Sequence, residues 1–286
     1  MSCLFVDNLT VIDCSYLDPE RGVVGESWIV DIELTGALDE QGMVFDFGHV
    51  KKRIKQHIDA QADHRLLVPT AYAGCRTSSD SGRLTVEFEL QSGGVILHES
   101  PEDAVMLVAA EKVDADDLGR ELQRQLQEIM PRNVTGVRLR LRTEESGGPY
   151  YHYTHGLQQH EGQCQRIAHG HRSRIEIEVD EVRSSAHEEQ WASRLKDAYV
   201  ATDHHIVGEF EHNGIAHTRM AYRAAQGEFA MSLPSDHVYV LPNASTVEHI
   251  AEHIATTVAR EAAAPVLVRA YEGVGKGALG VASGPT

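Results

Sequence analysis

A chain of 286 residues, 42% apolar and 24% charged, has enough apolar content to bury two cores of ordinary domain size. Its formal charge of −17 excludes partners held through a phosphate backbone, so no nucleic acid is expected; a small anionic substrate in a local Arg, Lys and His pocket stays compatible. No apolar run approaches the roughly 20 residues that cross a bilayer, and Cys3, Cys14, Cys75 and Cys164 form no CxxC pair and follow no apolar leader, so no membrane and a reducing cytoplasm are expected.

Alternation predicts strands at about residues 3–14 and at Ser27–Leu34. From Phe47 the pattern turns helical: Val50, Ile54 and Ile58 fall at i, i+4 and i+8 among Lys and Arg, one buried stripe on a solvated helix. Past Asp63-His64, Leu84, Val86, Phe88 and Leu90 alternate before Gly93-Gly94 and Val95-Ile96-Leu97, which reads as a hairpin. A second helix is predicted over Asp114–Met130, stopped by Pro131. Val137, Leu139 and Leu141 then alternate with arginines as a strand, and Gly147-Gly148-Pro149 turns the chain.

The second half repeats this order. Asp63-His64 recurs as Asp203-His204, each read as following a helical segment, here Trp191–Tyr199. The run from Pro101 to Val108 recurs from Pro234 to Leu241, the second helix at Thr246–Arg260, and Val137–Glu144 as Val266–Glu272. The boundary falls near Gly147–Tyr153, giving domains 1–148 and 149–286.

The chemistry concentrates at His155, Cys164 and His169-Gly170-His171, the last leading into an alternating strand. Residues two apart on a strand share a face, so His169 and His171 present both imidazoles to one side. If the strand carrying His155 pairs with theirs, a third imidazole completes a three-ligand metal site with one open position, which suits catalysis. Taken singly, each feature has a plainer reading. His-x-His also fits a solvated strand edge, Cys164 a small buried residue, Asp203-His204 a polar pair at a helix end, and Glu272 a salt bridge.

Together these residues resemble the family of 6-pyruvoyl-tetrahydropterin synthase and 6-carboxytetrahydropterin synthase, the latter of queuosine biosynthesis. The segment Gly42-Met43-Val44-Phe45-Asp46-Phe47-Gly48-His49-Val50-Lys51-Lys52, with Asp63-His64-Arg65-Leu66-Leu67, carries the rest of the family pattern in the first half. The resemblance implies an α+β chain of two tandem tunnelling-fold domains. Each would be a four-stranded antiparallel sheet with two helices on one face plus a hairpin insertion. It further implies Zn2+ held by His155, His169 and His171, a proton-abstracting thiolate at Cys164, an acid pair at Asp203-His204, and Glu272 anchoring the pterin. The implied reaction is a lyase conversion of 7,8-dihydroneopterin triphosphate to a 6-substituted tetrahydropterin, 6-carboxytetrahydropterin being favoured and the 6-pyruvoyl product open.

Where the metal ligands would recur in the first half stand Cys14, Val24 and Glu26, a set unsuited to zinc, so one site per chain is expected. That half keeps Asp63-His64 and Glu144, and family pockets lie between subunits; either Asp-His pair can therefore complete the site. Four residues, Gln165 to Ala168, separate Cys164 from the HGH motif, against three in the 6-carboxy branch and five in the 6-pyruvoyl branch. The alternative function is a non-catalytic pterin- or purine-binding or regulatory zinc protein on the same fold. A closed structural zinc site would need a fourth ligand, from His160 or Cys164. Three tandem chains are expected to form a closed homo-oligomer with edge strands paired between chains.

Overall fold

The computed structural model describes residues 2–38, 40, 42–44 and 46–284; Phe45 of the segment quoted above, and Met1, Pro285 and Thr286 at the expected domain ends, lie outside them. The first half runs β1 (Ser2–Asp18), β2 (Gly22–Gly36), α1 (Phe47–Gln61), β3 (Leu66–Pro69), β4 (Cys75–Asp80), β5 (Arg83–Glu89), β6 (Val95–Pro101), β7 (Val105–Val108), α2 (Ala115–Ile129) and β8 (Val134–Arg142). The second runs β9 (Tyr150–His155), β10 (His169–Val179), β11 (Val182–Arg183), α3 (Ser185–Arg194), β12 (Ala198–Thr202), β13 (Ile206–His212), β14 (Ile215–Ala224), β15 (Gly227–Pro234), β16 (Val238–Leu241), α4 (Val247–Ala262), β17 (Val266–Tyr271) and β18 (Gly277–Ala282).

Local chemistry sets these boundaries. The Asp114 carboxylate accepts from the Asp117 N–H at 2.7 Å and Thr246 Oγ1 from the His249 N–H at 3.4 Å, satisfying free donors at the starts of α2 and α4. Val50, Ile54 and Ile58 of α1 and Leu118, Leu122 and Leu126 of α2 pack with Ile12, Val30, Ile32 and Leu139 of the sheet. In the second half Trp191 of α3 and Ile250, Ile254 and Val258 of α4 pack on Tyr151, Tyr153, Ile175, Ile177 and Val268.

The main sheets follow one order, β7-β3-β1-β2-β8 and β16-β12-β9-β10-β17-β18, with β11 paired to β10. This corrects the expected four-stranded antiparallel sheet. β3 pairs in parallel with β1 and β7 with β3, as β12 does with β9 and β16 with β12. β3 and β7 have four residues each, too few for alternation to reveal. The predicted helix at Trp191–Tyr199 is also displaced: α3 ends at Arg194, and Tyr199 lies on β12. The expected hairpin insertions are three-stranded meanders. β6 and β15 pair antiparallel, Met231 opposite His98, which joins the meanders into one six-stranded sheet crossing both halves. Beneath it a core mixes Leu17, Val23, Phe88 and Ile96 with Ile167, Tyr199, Met231 and Leu233.

Strand register matches the halves residue by residue. Ser15 pairs with Leu66 as Thr154 does with Tyr199, and Leu66 and Tyr199 stand opposite Val105 and Val238. Ser15 therefore corresponds to Thr154, and their strand partners Gly25 and Gly170 correspond to each other. These residues meet where the halves touch. Ser15 Oγ lies 2.8 Å from Thr154 Oγ1, and a Cβ on Gly25 would stand 1.8 Å from the Tyr153 carbonyl oxygen. Only glycine admits so close an approach of two backbones.

Candidate metal and catalytic site

Pairing of β9 with β10 sets His155 opposite His169, with His171 two residues further along. All three rings are buried, and one ligand nitrogen from each lies within 4.8 Å of the others. His155 Nε2 and His171 Nε2 are 3.3 Å apart. Two nitrogens about 2.0–2.1 Å from a tetrahedral ion have that separation.

The other ring nitrogens are each turned toward oxygen. His155 Nδ1 lies 2.7 Å from the Ser245 carbonyl, His169 Nδ1 3.0 Å from the Arg166 carbonyl, and His171 Nδ1 3.2 Å from Asp13 Oδ1. For His155 and His169 an N–H donated at Nδ1 leaves Nε2 as the free lone pair, the arrangement of metal-ligating histidines; His171 Nδ1 is buried beside Asp13 without a formed hydrogen bond. Burial, followed by repulsion from the neighbouring imidazoles, pushes His155 and His169 well below the ordinary histidine value. They are neutral, the form that binds metal.

Cys164 sits in a short turn of the loop between β9 and β10. His64, from the first half, joins it: His64, Cys164 and His169 also form a group with ligand atoms within 4.8 Å. The His64 backbone is left-handed, φ 54°, where the chain leaves α1 for β3. Its Nδ1 lies 2.8 Å from Asp63 Oδ2. Burial opposes the charge on His64, but hydrogen bonds to Asp63 and Cys164 outweigh it and raise the imidazole to about 10.

Asp203-His204 stands apart. Its side chains are 55% and 61% exposed, in a turn after β12, and pair at 3.3 Å. The equivalence of the two Asp-His pairs fails on register: Leu66 matches Tyr199, so His64 corresponds to Asp197 and Asp203 to Thr70. His204 instead lines a cavity of about 340 Å³ with Gly156, Gln158, His160, Thr202 and Thr246. That cavity adjoins His155 through Gly156 and the residues flanking Ser245.

Glu272 follows β17, its N–H donating to the Lys276 carbonyl at 3.0 Å. After burial, its charge is the next influence raising the Tyr151 and Tyr153 hydroxyls. Glu144 is elsewhere. It accepts from Arg174 Nε at 2.8 Å, on the face of β10 opposite His169 and His171, and register matches it to Gly273 rather than Glu272.

In the first half the positions of His155, His169 and His171 are held by Tyr16, Val24 and Glu26, so Tyr16 replaces Cys14 in the expected set. The turn between β1 and β2 is short and carries Arg21 where the other half carries residues 156–168. Arg21 grips Asp197 through Nε at 3.0 Å and Nη2 at 2.5 Å, and donates to the Tyr16 hydroxyl at 3.0 Å. A guanidinium thus fills the space of a second site. Burial pushes the Glu26 carboxyl up to about 7.

Sequence reasoning missed Asp13, Ser27 and Lys276. Ser27 Oγ donates to Asp13 Oδ1 at 2.5 Å, and Lys276 Nζ lies 3.2 Å from Asp13 Oδ2. Burial would raise the Asp13 carboxyl; His171, Lys276 and Ser27 outweigh it and hold it well below the usual range. The available signal was a carboxylate between Ile12 and Cys14 on a buried strand.

A family model described as 6-pyruvoyl tetrahydropterin synthase matches the chain twice, over residues 13–153 and 148–278. A Pyrococcus horikoshii protein provisionally described as a 6-carboxy-5,6,7,8-tetrahydropterin synthase is 24% identical over 135 residues, covering 47% of this chain and 77% of its own. Among solved structures, the 6-pyruvoyl tetrahydropterin synthase of Plasmodium vivax is 16% identical with a TM-score of 0.41, covering 51% of this chain and 93% of its own. That of Plasmodium falciparum is 15% identical with a TM-score of 0.40, covering 49% and 90%.

Proposed function

Because the chain belongs to the 6-pyruvoyl tetrahydropterin synthase family, we propose that it is a zinc-dependent lyase acting on 7,8-dihydroneopterin triphosphate, with one site per chain built from both halves. The observation that carries this reading is the convergence of His155, His169 and His171 beside Cys164 and the Asp63–His64 pair. Zinc held by the three histidines supplies a Lewis acid that acidifies protons on carbons next to the substrate's side-chain oxygens.

Cys164 takes such a proton, and protonated His64 beside it provides the counter-charge a thiolate needs. His64, steadied by Asp63, returns a proton at a second carbon. Glu272 accepts the amino and ring N–H donors of the pterin in a two-point hydrogen bond. The cavity beside His155 gives the substrate room. The relative from Pyrococcus favours 6-carboxytetrahydropterin as product.

The same reading takes residues 1–148 and 149–286 as the two domains, works in the cytoplasm, and closes three chains into a ring. Exposed Leu107 and Val240 on outer strands β7 and β16, and Leu279 and Val281 on β18, support edge pairing between chains. A stable monomer by light scattering contradicts the ring.

Incubation with 7,8-dihydroneopterin triphosphate, with zinc or a chelator and products read by mass spectrometry, tests the activity. Zinc-dependent 6-carboxytetrahydropterin is expected. Bound zinc and pterin with unchanged substrate supports the non-catalytic binding protein instead, which the four-residue spacer between Cys164 and His169 favours.

A further inference from the structure

Asp13 is 4% exposed and belongs to the half without the histidine cluster. Its carboxylate meets His171, Ser27 and Lys276 at 3.2, 2.5 and 3.2 Å. Its backbone meets the other part of the site: the N–H donates to Asp63 Oδ1 at 2.9 Å, and the carbonyl accepts from the His64 N–H at 2.7 Å. Among the described residues His171 Nδ1 is buried without a hydrogen bond as it stands, and Asp13 Oδ1 lies 3.2 Å from it.

We propose that Asp13 is the positioning residue of the metal site, its carboxylate orienting His171 through Nδ1 while its backbone fixes where Asp63 and His64 stand. The proposal rests on the metal reading above. A carboxylate behind a ligating imidazole sets its tautomer and ring orientation and raises its basicity. Ser27 donates to Oδ1 and Lys276 lies against Oδ2, so both carboxylate oxygens are engaged, and a Cβ on Gly273 would lie 2.5 Å from Oδ1.

The counterpart contact shows what is particular to Asp13. Register matches Asp13 with His152 and His171 with Glu26, and His152 Nδ1 lies 3.7 Å from Glu26 Oε2. A carboxylate and an imidazole therefore face each other at both places. Only at Asp13 does the imidazole belong to a cluster of three.

The test is zinc affinity, measured by competition with a chromogenic chelator, for the wild type, Asp13→Asn and Ser27→Ala, with a thermal melt of each metal-free protein. Asp13→Asn is expected to bind zinc about 10–100-fold more weakly, and Ser27→Ala to lose less in the same direction, with each metal-free protein still melting cooperatively. Wild type that binds no zinc sinks the metal reading and the proposal with it. Tight wild-type binding matched by Asp13→Asn overturns the role of Asp13 alone. Should Asp13→Asn fail to fold, undiminished affinity in Ser27→Ala overturns it.

Discussion

Ser15 Oγ and Thr154 Oγ1, matched residues of the two halves, bond to each other at 2.8 Å inside the protein. A residue that touches its own counterpart marks a two-fold relation between the halves. Removing one hydroxyl strands the other in a buried site, so Ser15→Ala is expected to cost about 1–3 kcal/mol. Ser15→Ala with Thr154→Val removes both polar groups and should recover much of that loss. Urea unfolding of the single and double variants checks it.

The Asp-His pairs separate cleanly by mutation. Asp63→Asn weakens the support of His64 and is expected to lower product formation roughly 100-fold. Asp203→Asn, on an exposed turn, is expected to leave kcat near wild type and to act at most on KM, through His204 at the cavity. Steady-state kinetics on both variants decides which pair serves.

Glu26 gives a signed pH prediction. Its folded value of about 7 exceeds the ordinary 4.5, so between those values the folded chain keeps a proton the unfolded chain has released. Its contribution to stability falls as pH rises through that window and levels off above it. Relative to wild type, Glu26→Gln should be more favourable at pH 8 than at pH 4 by on the order of 3 kcal/mol. Denaturant titrations of both proteins across that range measure the difference.

Zinc removal should loosen the folded state. With free zinc at about 1,000 times its dissociation constant the ion contributes about 4 kcal/mol, so a chelator is expected to lower Tm by roughly 8–16 °C. Scanning calorimetry reads the shift.

Much of this was legible in the sequence because it is local. The His-x-His spacing, the stripe at Val50, Ile54 and Ile58, and the recurrence of Pro101–Val108 at Pro234–Leu241 each need only strand or helix periodicity. What escaped depends on register or distance. Asp203-His204 copies the letters of Asp63-His64 but follows a strand instead of a helix, so likeness of dipeptides misled. Asp13 and His171 are far apart in sequence and meet only because Gly25 and Gly170 let two sheets close on each other. The four-residue parallel strands owe their pairing to β1 and β9, not to a pattern of their own.

Arg21 standing against Asp197 and Tyr16 has a bearing on the history open to this chain. The first half has Tyr16, Val24 and Glu26 where the second has its three histidines, the second has Asp197 where the first has His64, and on the proposed reading each half supplies what the other lacks. If that site is the working one, neither half can be discarded, and a second site would need changes at Tyr16, Val24, Glu26, Arg21 and Asp197 together. Two units of one fold would then be mutually dependent, a state that no single substitution reverses.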